Sequence, residues 1–257
     1  MLCALVLPPT ASAGRETISI AVTEPQPATL TGDLYTPSRG GPHAAVILLH
    51  GCGGVAPNAA SWAQWLQSEG YAALVLDSLQ GRGIRTLCAD TRPLTPLMRV
   101  ADVSAAAVKL KSITGIDGDR LAVMGFSHGG ATAIAAWHLQ ARRADVTIKA
   151  MIGVRPGCGT QPPPRDAVPL LLLVGGQDDW APPENCQKLA DAARSASAPV
   201  TLVLYPDARH GFDAANVHGR AYVSIAKGGK GATVEYSPSA HSDSEKQVKQ
   251  FLAANVK

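Results

Sequence analysis

The 257-residue chain lacks a long run of basic residues and an apolar run that could span a bilayer. Its lysines and arginines are scattered, with no run longer than Arg142 and Arg143, so the electrostatic surface expected of a nucleic-acid-binding protein is missing. Hydrophobic residues make up 46% and charged residues 17% of a chain with net charge +3, which is typical of a globular protein. Because no linker or repeat interrupts it, we expect a single domain over residues 14–257.

The first 13 residues predict an export signal. Residues 2–7 are apolar but too few to span a bilayer, and Ala11, Ser12 and Ala13 match the small-residue pattern of a cleavage site. The positively charged segment that normally precedes the apolar one is missing. We therefore interpret residues 1–13 as a truncated signal peptide, which predicts a periplasmic or secreted protein; a ragged apolar leader is the alternative.

The cysteines lack the close pairwise spacing of a zinc site, and we expect no metal. Beyond the leader, Cys52, Cys88, Cys158 and Cys186 form an even set, which favours disulfides in an oxidising compartment. Three pairings are possible, and the sequence alone does not select one. Each cysteine lies in or beside a loop that follows a predicted strand, so we favour Cys52 with Cys88 and Cys158 with Cys186. Four unpaired small hydrophobic residues are the alternative.

Strands and helices alternate along the chain. Two β-type stretches form a predicted antiparallel pair, and six short apolar runs follow that are typical of strands buried on both faces: residues 17–22 and 28–35, then 44–49, 72–76, 121–124, 148–153, 169–174 and 200–205. Helical patterns lie between them, at residues 59–69, 96–113, 130–142, 183–195 and 242–254. This alternation predicts an α/β fold, a mostly parallel sheet of about eight strands with helices on both faces.

The pentapeptide Gly125-Phe126-Ser127-His128-Gly129 follows one of the predicted buried strands and precedes a predicted helix. In this G-x-S-x-G pattern a sharp turn leaves the serine exposed at its tip, and the flanking glycines allow the backbones to approach closely. Chemistry in such sheets lies in the loops at the carboxyl ends of the strands. We therefore predict that Ser127 is a nucleophile, although the glycines alone could serve only the turn.

Serine needs a general base and a group that orients the base. Two downstream loops that follow predicted strands offer them: His210 is the predicted base, and Asp178 the predicted orienting acid. The order Ser, Asp, His is the one expected for an α/β-hydrolase sheet. Asp179 is the alternative acid, but we expect it to cap the coming helix or to face water.

Acyl transfer also builds an oxyanion that needs pre-aimed donors. The segment His50-Gly-Cys-Gly-Gly follows the first predicted parallel strand, and its glycines would let backbone N–H groups face a substrate. We predict that the amides of Cys52 and His128 form the oxyanion hole, with the Gly51 amide as the alternative to Cys52.

Together these segments resemble the dienelactone hydrolase family of α/β-hydrolases. The matching segments are His50-Gly-Cys-Gly-Gly, Met124-Gly-Phe-Ser-His-Gly-Gly, Gly175-Gly-Gln-Asp-Asp-Trp-Ala-Pro and Tyr205-Pro-Asp-Ala-Arg-His-Gly-Phe-Asp, and the likeness runs from about residue 28 to the C-terminus. The resemblance implies an α/β-hydrolase fold without a large lid domain, acting on small esters or lactones and needing no cofactor.

Two departures from that family bear on the substrate. Its best-known members carry a cysteine nucleophile, where this chain has Ser127, and a glutamate near the oxyanion loop, where this chain has Gly51 and Cys52. A serine esterase with an acyl-enzyme intermediate is therefore favoured over a hydrolase of dienelactone itself. A peptidase or acyltransferase with the same triad, and a binding protein without catalysis, are the alternatives.

Substrate-binding residues are harder to predict. Arg82 and Arg85 follow a predicted strand, and either could bind a substrate carboxylate; Arg92 and Arg99 could extend that patch. Trp180 could wall the pocket. The expected partner is a small ester or lactone, with no nucleic acid or membrane, and the expected assembly is a monomer or homodimer.

Overall fold

The computed structural model describes residues 14–38, 40–139, 147–159, 161–164 and 166–256. Eight strands form its main sheet: β1 Gly14–Val22, β2 Ala28–Thr36, β3 His43–Leu49, β4 Ala72–Asp77, β5 Ile116–Phe126, β6 Ile148–Val154, β7 Leu170–Gly175 and β8 Val200–Tyr205. Their spatial order is β1-β2-β4-β3-β5-β6-β7-β8. The pairs β1–β2 and β2–β4 are antiparallel and every other pair is parallel, so the predicted lead-in pair and parallel sheet are confirmed.

Helices cover both faces of this sheet, because its central strands are apolar on both sides. The helices are α1 Pro57–Ser68, α2 Val100–Lys111, α3 His128–Leu139, α4 Glu184–Ser195, the single turn α5 Ala226–Gly229, and α6 Pro238–Asn255. In β3, Ile47 and its neighbours two residues away belong to the buried cluster on the face that α2 and α3 cover. The residues between them, such as Val46 and Leu48, pack against α1 and α6. This period of two explains why continuous apolar runs predict the strands correctly.

The predicted N-termini of α2 and α6 each differ from the observed ones by four residues. Helix α2 begins at Val100 rather than at residue 96, and residues 96–99 form a turn that leads into it. Helix α6 begins at Pro238 rather than at residue 242. Its start has a proline in the first turn and Ser237 as the N-cap, whose side chain accepts from the Ala240 N–H.

A second, two-stranded sheet was not predicted. Strands β9 Arg220–Val223 and β10 Ala232–Glu235 pair antiparallel and form a hairpin that holds the turn α5. Four-residue strands give too short a pattern to distinguish from loop. The described part of the chain contains no separate lid domain, as predicted, and this hairpin is its main addition at the carboxyl edge of the sheet.

Both favoured disulfides are present, Cys52–Cys88 and Cys158–Cys186. The predicted leader, residues 1–13, lies outside the described residues. Among the residues that are described, no helix has the length and apolarity needed to cross a bilayer.

Candidate active site

Ser127 occupies the turn between the end of β5 and the start of α3, with a backbone φ of +53°. A Cβ on Gly125 would lie 2.0 Å from the carbonyl oxygen of Gly129, and a Cβ on Gly129 would lie 2.1 Å from that of Leu49. No side chain fits at either position, so the three elements meet through bare backbone. The turn predicted from the pentapeptide is therefore present, and it holds a serine in a conformation that L-residues rarely adopt.

His210 lies beside this serine and links it to an acid. The Nε2 of His210 is 3.0 Å from Ser127 Oγ, and its Nδ1 is 2.7 Å from Asp178 Oδ2. All three side chains are buried, with His210 and Asp178 each 3% exposed. Because an ionised carboxylate only accepts, Nδ1 carries the proton and Nε2 has its lone pair towards the serine hydroxyl. The geometry is that of a nucleophile, a general base and an orienting acid.

Two neighbouring aspartates have different surroundings. Oδ1 of Asp178 accepts the backbone N–H groups of Trp180 and Ala181, at 2.9 and 2.8 Å, which leaves Oδ2 for the histidine. Asp179 instead accepts the N–H of Thr233 in β10 at 2.9 Å. It neither caps α4 nor simply faces water, as the sequence suggested. Of the two, Asp178 is the acid that the fold brings to His210.

The unpredicted hairpin contacts both the loop after β7 that carries Asp178, the acid loop, and the loop after β8 that carries His210, the base loop. On one side Asp179 holds Thr233 through its carboxylate, and its carbonyl accepts from Lys227 Nζ at 2.8 Å. On the other side the Glu235 N–H donates to the His210 carbonyl at 2.9 Å. The hairpin therefore adds a second connection between the two loops, beside the direct hydrogen bond from the Gln177 N–H to the Ala208 carbonyl at 2.9 Å.

The predicted oxyanion donors lie next to the serine. A Cβ on Gly51 would be 3.6 Å from the Ser127 Cβ, which places the start of the glycine-rich loop against the nucleophile. The Cys52 carbonyl accepts the Leu87 N–H at 2.7 Å, which helps to hold the backbone at Cys52 in place. His128 is the first residue of α3, where helical N–H groups have no intrahelical acceptor. Cys52 borders both clefts that contain Ser127, and His128 borders one of them.

A buried arginine that the sequence suggested as an extension of a substrate-binding patch lies underneath this loop instead. Arg99 is 0% exposed, and its Nη1 donates to the carbonyl of His50 at 3.1 Å and to Nδ1 of His128 at 3.0 Å. Burial first, and then the charge of Arg99, lowers the pKa of both histidines to about 3. Both rings are therefore neutral at pH 7, and Arg99 ties together the two segments that carry the candidate donors.

Sequence analysis missed a second arginine, Arg155, which is the first residue after β6. Its Nη1 is 3.3 Å from His210 Nε2, and its Nε donates to the buried carboxylate of Asp213. Burial opposes ionisation of Asp213, but the charge and hydrogen bond of Arg155 outweigh burial, so the pKa of Asp213 lies below its usual value. The position of Arg155 at the carboxyl end of a parallel strand was the signal that could have identified it.

Two clefts open at Ser127. The first, which we call the His210 cleft, has a volume of about 230 Å³, and its walls include the polar residues Asn58, Arg155 and Asn216. The second, the His128 cleft, has about 270 Å³ and a mostly apolar wall, with Leu87, Ala131, Cys158 and Pro182 among its residues. Cys52, Cys88 and Trp180 border both. A larger cleft of about 510 Å³ between β1 and α2 holds none of these residues.

The two predicted substrate-binding residues differ in outcome. The Trp180 ring lies 4.9 Å from the His210 ring, centroid to centroid, and borders both clefts, as a pocket wall would. Arg82 borders neither cleft. Its guanidinium is 5% exposed, pairs with Asp102 at 2.7 Å and donates to the Ser78 carbonyl at 2.8 Å. Both Nη groups are thus engaged inside the fold, away from both clefts, which contradicts the prediction that Arg82 binds substrate.

No group of three or more histidine, cysteine or acidic residues within the described ranges could hold a metal ion.

Comparisons with known proteins agree with this fold. A model of the dienelactone hydrolase family matches residues 30–256. A provisionally named carboxymethylenebutenolidase of Escherichia coli K12 is 30% identical over 227 residues, which cover 76% of this chain and 82% of that protein. The solved structure of a dienelactone hydrolase-like promiscuous phosphotriesterase from metagenomic libraries has a TM-score of 0.74 at 18% identity, covering 95% of this chain and 99% of that one. Dienelactone hydrolase from Anabaena variabilis gives 0.64 at 20% identity, with 95% and 99% covered.

Proposed function

Because the chain belongs to the dienelactone hydrolase family, we propose that it is a serine hydrolase that cleaves small carboxylic esters or lactones through an acyl-enzyme intermediate. The observation that carries this proposal is the continuous hydrogen-bonded path from Asp178 through His210 to Ser127. The nucleophile, the base and the orienting acid are all residues of the competent type.

In the acylation step, Ser127 Oγ attacks the substrate carbonyl carbon while its proton moves to His210 Nε2. The tetrahedral intermediate carries its negative charge on the former carbonyl oxygen, which the amides of Cys52 and His128 would stabilise. Collapse breaks the bond from carbon to the leaving oxygen, which takes the proton from Nε2 and departs as an alcohol. Asp178 stabilises the imidazolium that exists between the two proton transfers.

Deacylation repeats these steps with water. His210 Nε2 removes a proton from a water molecule, whose oxygen attacks the acyl carbon, and the same two amides hold the second oxyanion. Collapse returns the proton to Ser127 Oγ and releases a carboxylic acid. A lactone follows the same route, with the alcohol and acid in one product.

The size of the clefts supports small substrates. With about 230 and 270 Å³ on the two sides of Ser127, each cleft is below or at the lower end of the range typical of ligand pockets. Trp180 would wall the site above His210. Two disulfides support a place in an oxidising compartment, and we propose a periplasmic or secreted location.

Labelling of the serine tests the proposal directly. A fluorophosphonate probe should label the folded protein at Ser127 and leave S127A unlabelled, and the purified protein should hydrolyse short 4-nitrophenyl esters and lactones while S127A does not. Absence of a label on a protein whose circular dichroism shows the native fold would overturn the proposal. Turnover of aminoacyl amides, or transfer of the acyl group to an added alcohol in preference to water, would favour the peptidase or acyltransferase instead.

A further inference from the structure

Arg155 is a buried cation beside the reacting atoms, and the proposed acylation and deacylation steps give it no role. Arg155 is 9% exposed, borders the His210 cleft together with Ser127, and has a backbone φ of +45° that L-residues rarely adopt. Its Nη1 lies 3.3 Å from His210 Nε2, the atom that exchanges protons with both the serine and the leaving group. Strained backbone at such a position is a reason to look for a function.

The guanidinium is held in place from behind. Asp213, which is 1% exposed, accepts from Arg155 Nε, from Asn58 Nδ2 at 2.9 Å and from Trp62 Nε1 at 3.3 Å. The guanidinium carbon also lies 6.0 Å from the centroid of the Phe126 ring. Three donors on one carboxylate fix its orientation, and that carboxylate fixes Arg155 by its Nε. The Nη end remains beside His210 as a pre-organised donor.

His210 Nε2, which accepts from Arg155 Nη1 in the free enzyme, becomes protonated during the reaction. Neutral imidazole has one lone pair at Nε2, and Ser127 Oγ at 3.0 Å competes for it with the more distant Arg155 Nη1. Once the serine proton moves to Nε2, that nitrogen can no longer accept from Arg155. At the same stage the leaving oxygen must approach Nε2 to receive the proton, and it gains negative charge as its bond to carbon breaks. A donor within 3.3 Å of Nε2 is within reach of that oxygen.

From this geometry we propose that Arg155 is a catalytic residue that donates a hydrogen bond to the leaving-group oxygen, and that the alcohol part of the substrate occupies the His210 cleft. The inference rests on the proposed serine hydrolase function. His210 borders the His210 cleft and is absent from the walls of the His128 cleft, so the group that His210 protonates belongs on that side. The acyl group then occupies the more apolar His128 cleft.

Arg155 would act on a stage of the reaction that the oxyanion amides do not reach. The amides stabilise charge on the carbonyl oxygen, whereas Arg155 stabilises charge on the departing oxygen, where it grows only in the transition state. That help matters most for poor leaving groups such as alkyl alkoxides. Activated phenolates carry the charge well by themselves and need little of it.

The test is the dependence of kcat/KM on the leaving group. A series of esters with one acyl group and leaving groups that run from 4-nitrophenol through phenol to simple alcohols shares the deacylation step, so differences report acylation. R155K keeps a cation opposite Asp213 but cannot supply both the Nε and the Nη contacts. R155M/D213N removes both charges together, which avoids leaving a buried carboxylate unpaired. R82K is the matched control, because Arg82 also forms a buried pair with an aspartate but borders neither cleft.

Loss of a hydrogen bond to a charged oxygen should lower kcat/KM of R155M/D213N for alkyl esters by roughly 10- to 100-fold more than for the 4-nitrophenyl ester. R155K should show the same trend with a smaller amplitude, and it decides the matter if the double variant does not fold. R82K should change all esters in parallel. Parallel loss across the series in the folded Arg155 variants would overturn the role of Arg155 while leaving the serine hydrolase intact. Wild-type protein no more active than S127A on every ester would instead remove the proposed function, and this inference with it.

Discussion

The Cys52–Cys88 disulfide offers a test in which stability and catalysis can be separated. It joins residues 36 positions apart in the sequence, and Cys158–Cys186 joins residues 28 positions apart. Because loop-closure entropy grows only with the logarithm of length, the two bonds should stabilise the fold almost equally, by about 3.8 and 3.6 kcal/mol. We therefore expect C52A/C88A and C158A/C186A to lower the free energy of unfolding by similar amounts.

Their effects on catalysis should differ. Cys52 carries an amide proposed for the oxyanion hole, and C52A/C88A keeps this amide but removes its covalent tether. Complete loss of an oxyanion donor costs about 10²–10³ in kcat. The Leu87 N–H still holds the Cys52 carbonyl at 2.7 Å, so the donor is loosened rather than removed, and we expect a decrease in kcat of roughly 10- to 100-fold. The second disulfide borders the proposed acyl cleft through Cys158, so its loss should appear mainly in KM.

Urea unfolding followed by circular dichroism gives the two stabilities. Ester hydrolysis at a temperature well below both transitions gives kcat and KM, with S127A as the blank. An unchanged kcat in C52A/C88A, together with the expected loss of stability, would refute the claim that the tether positions the donor. Equal decreases of kcat in both double variants would refute it as well, because they would show a general effect of loosened loops.

Two further predictions follow from the acid loop and from the buried histidines. D178N should lower kcat by about 10⁴, because an amide no longer holds the His210 ring with Nδ1 protonated. D179N keeps an oxygen that can accept the Thr233 N–H and should retain most of the activity; equal losses in the two variants would contradict the assignment of Asp178. The free energy of unfolding should also decrease as the pH is lowered. In the folded protein His50 and His128 have a pKa of about 3, whereas unfolded histidine has a pKa of about 6.5. The unfolded state then binds more protons between these values, so the free energy of unfolding is highest above pH 6.5. It should decrease as pH falls, with a slope approaching about 2.7 kcal/mol per pH unit. Urea midpoints that stay constant from pH 6.5 to 5 would contradict this reasoning.

Much of this architecture could be predicted from the sequence because its signals are local. Apolar runs of four to six residues identify strands buried on both faces. The G-x-S-x-G pattern describes a turn that depends on backbone contacts within and beside five residues. The order of Ser127, Asp178 and His210 along a parallel sheet then brings three loops to one edge. Even the choice between Asp178 and Asp179 followed from their order after a tight turn.

The predictions failed where a residue's role depends on a partner far along the chain. Arg82 is engaged by Asp102, and Arg155 by Asp213, 58 positions away. The residues next to an arginine in the sequence do not indicate whether its guanidinium pairs with a buried carboxylate or binds a substrate. Arg99 is a further case, since one acceptor is the His50 carbonyl after β3 and the other is Nδ1 of His128 at the start of α3.

The hairpin of β9 and β10 contacts both the acid loop and the base loop, yet its residues belong to neither of the hydrophobic clusters on the two faces of the main sheet. Its strands have four residues each, and Tyr222 is 68% exposed. Two-stranded hairpins of this kind are marginally stable by themselves and open more readily than the strands of a large sheet. Detachment of the hairpin would leave the two loops joined only by direct contacts such as the Gln177 N–H to Ala208 carbonyl bond, and would loosen Asp178 relative to His210 while the eight-stranded sheet remained folded. The working range of the site is therefore expected to be set by one of the least protected parts of the molecule rather than by its core.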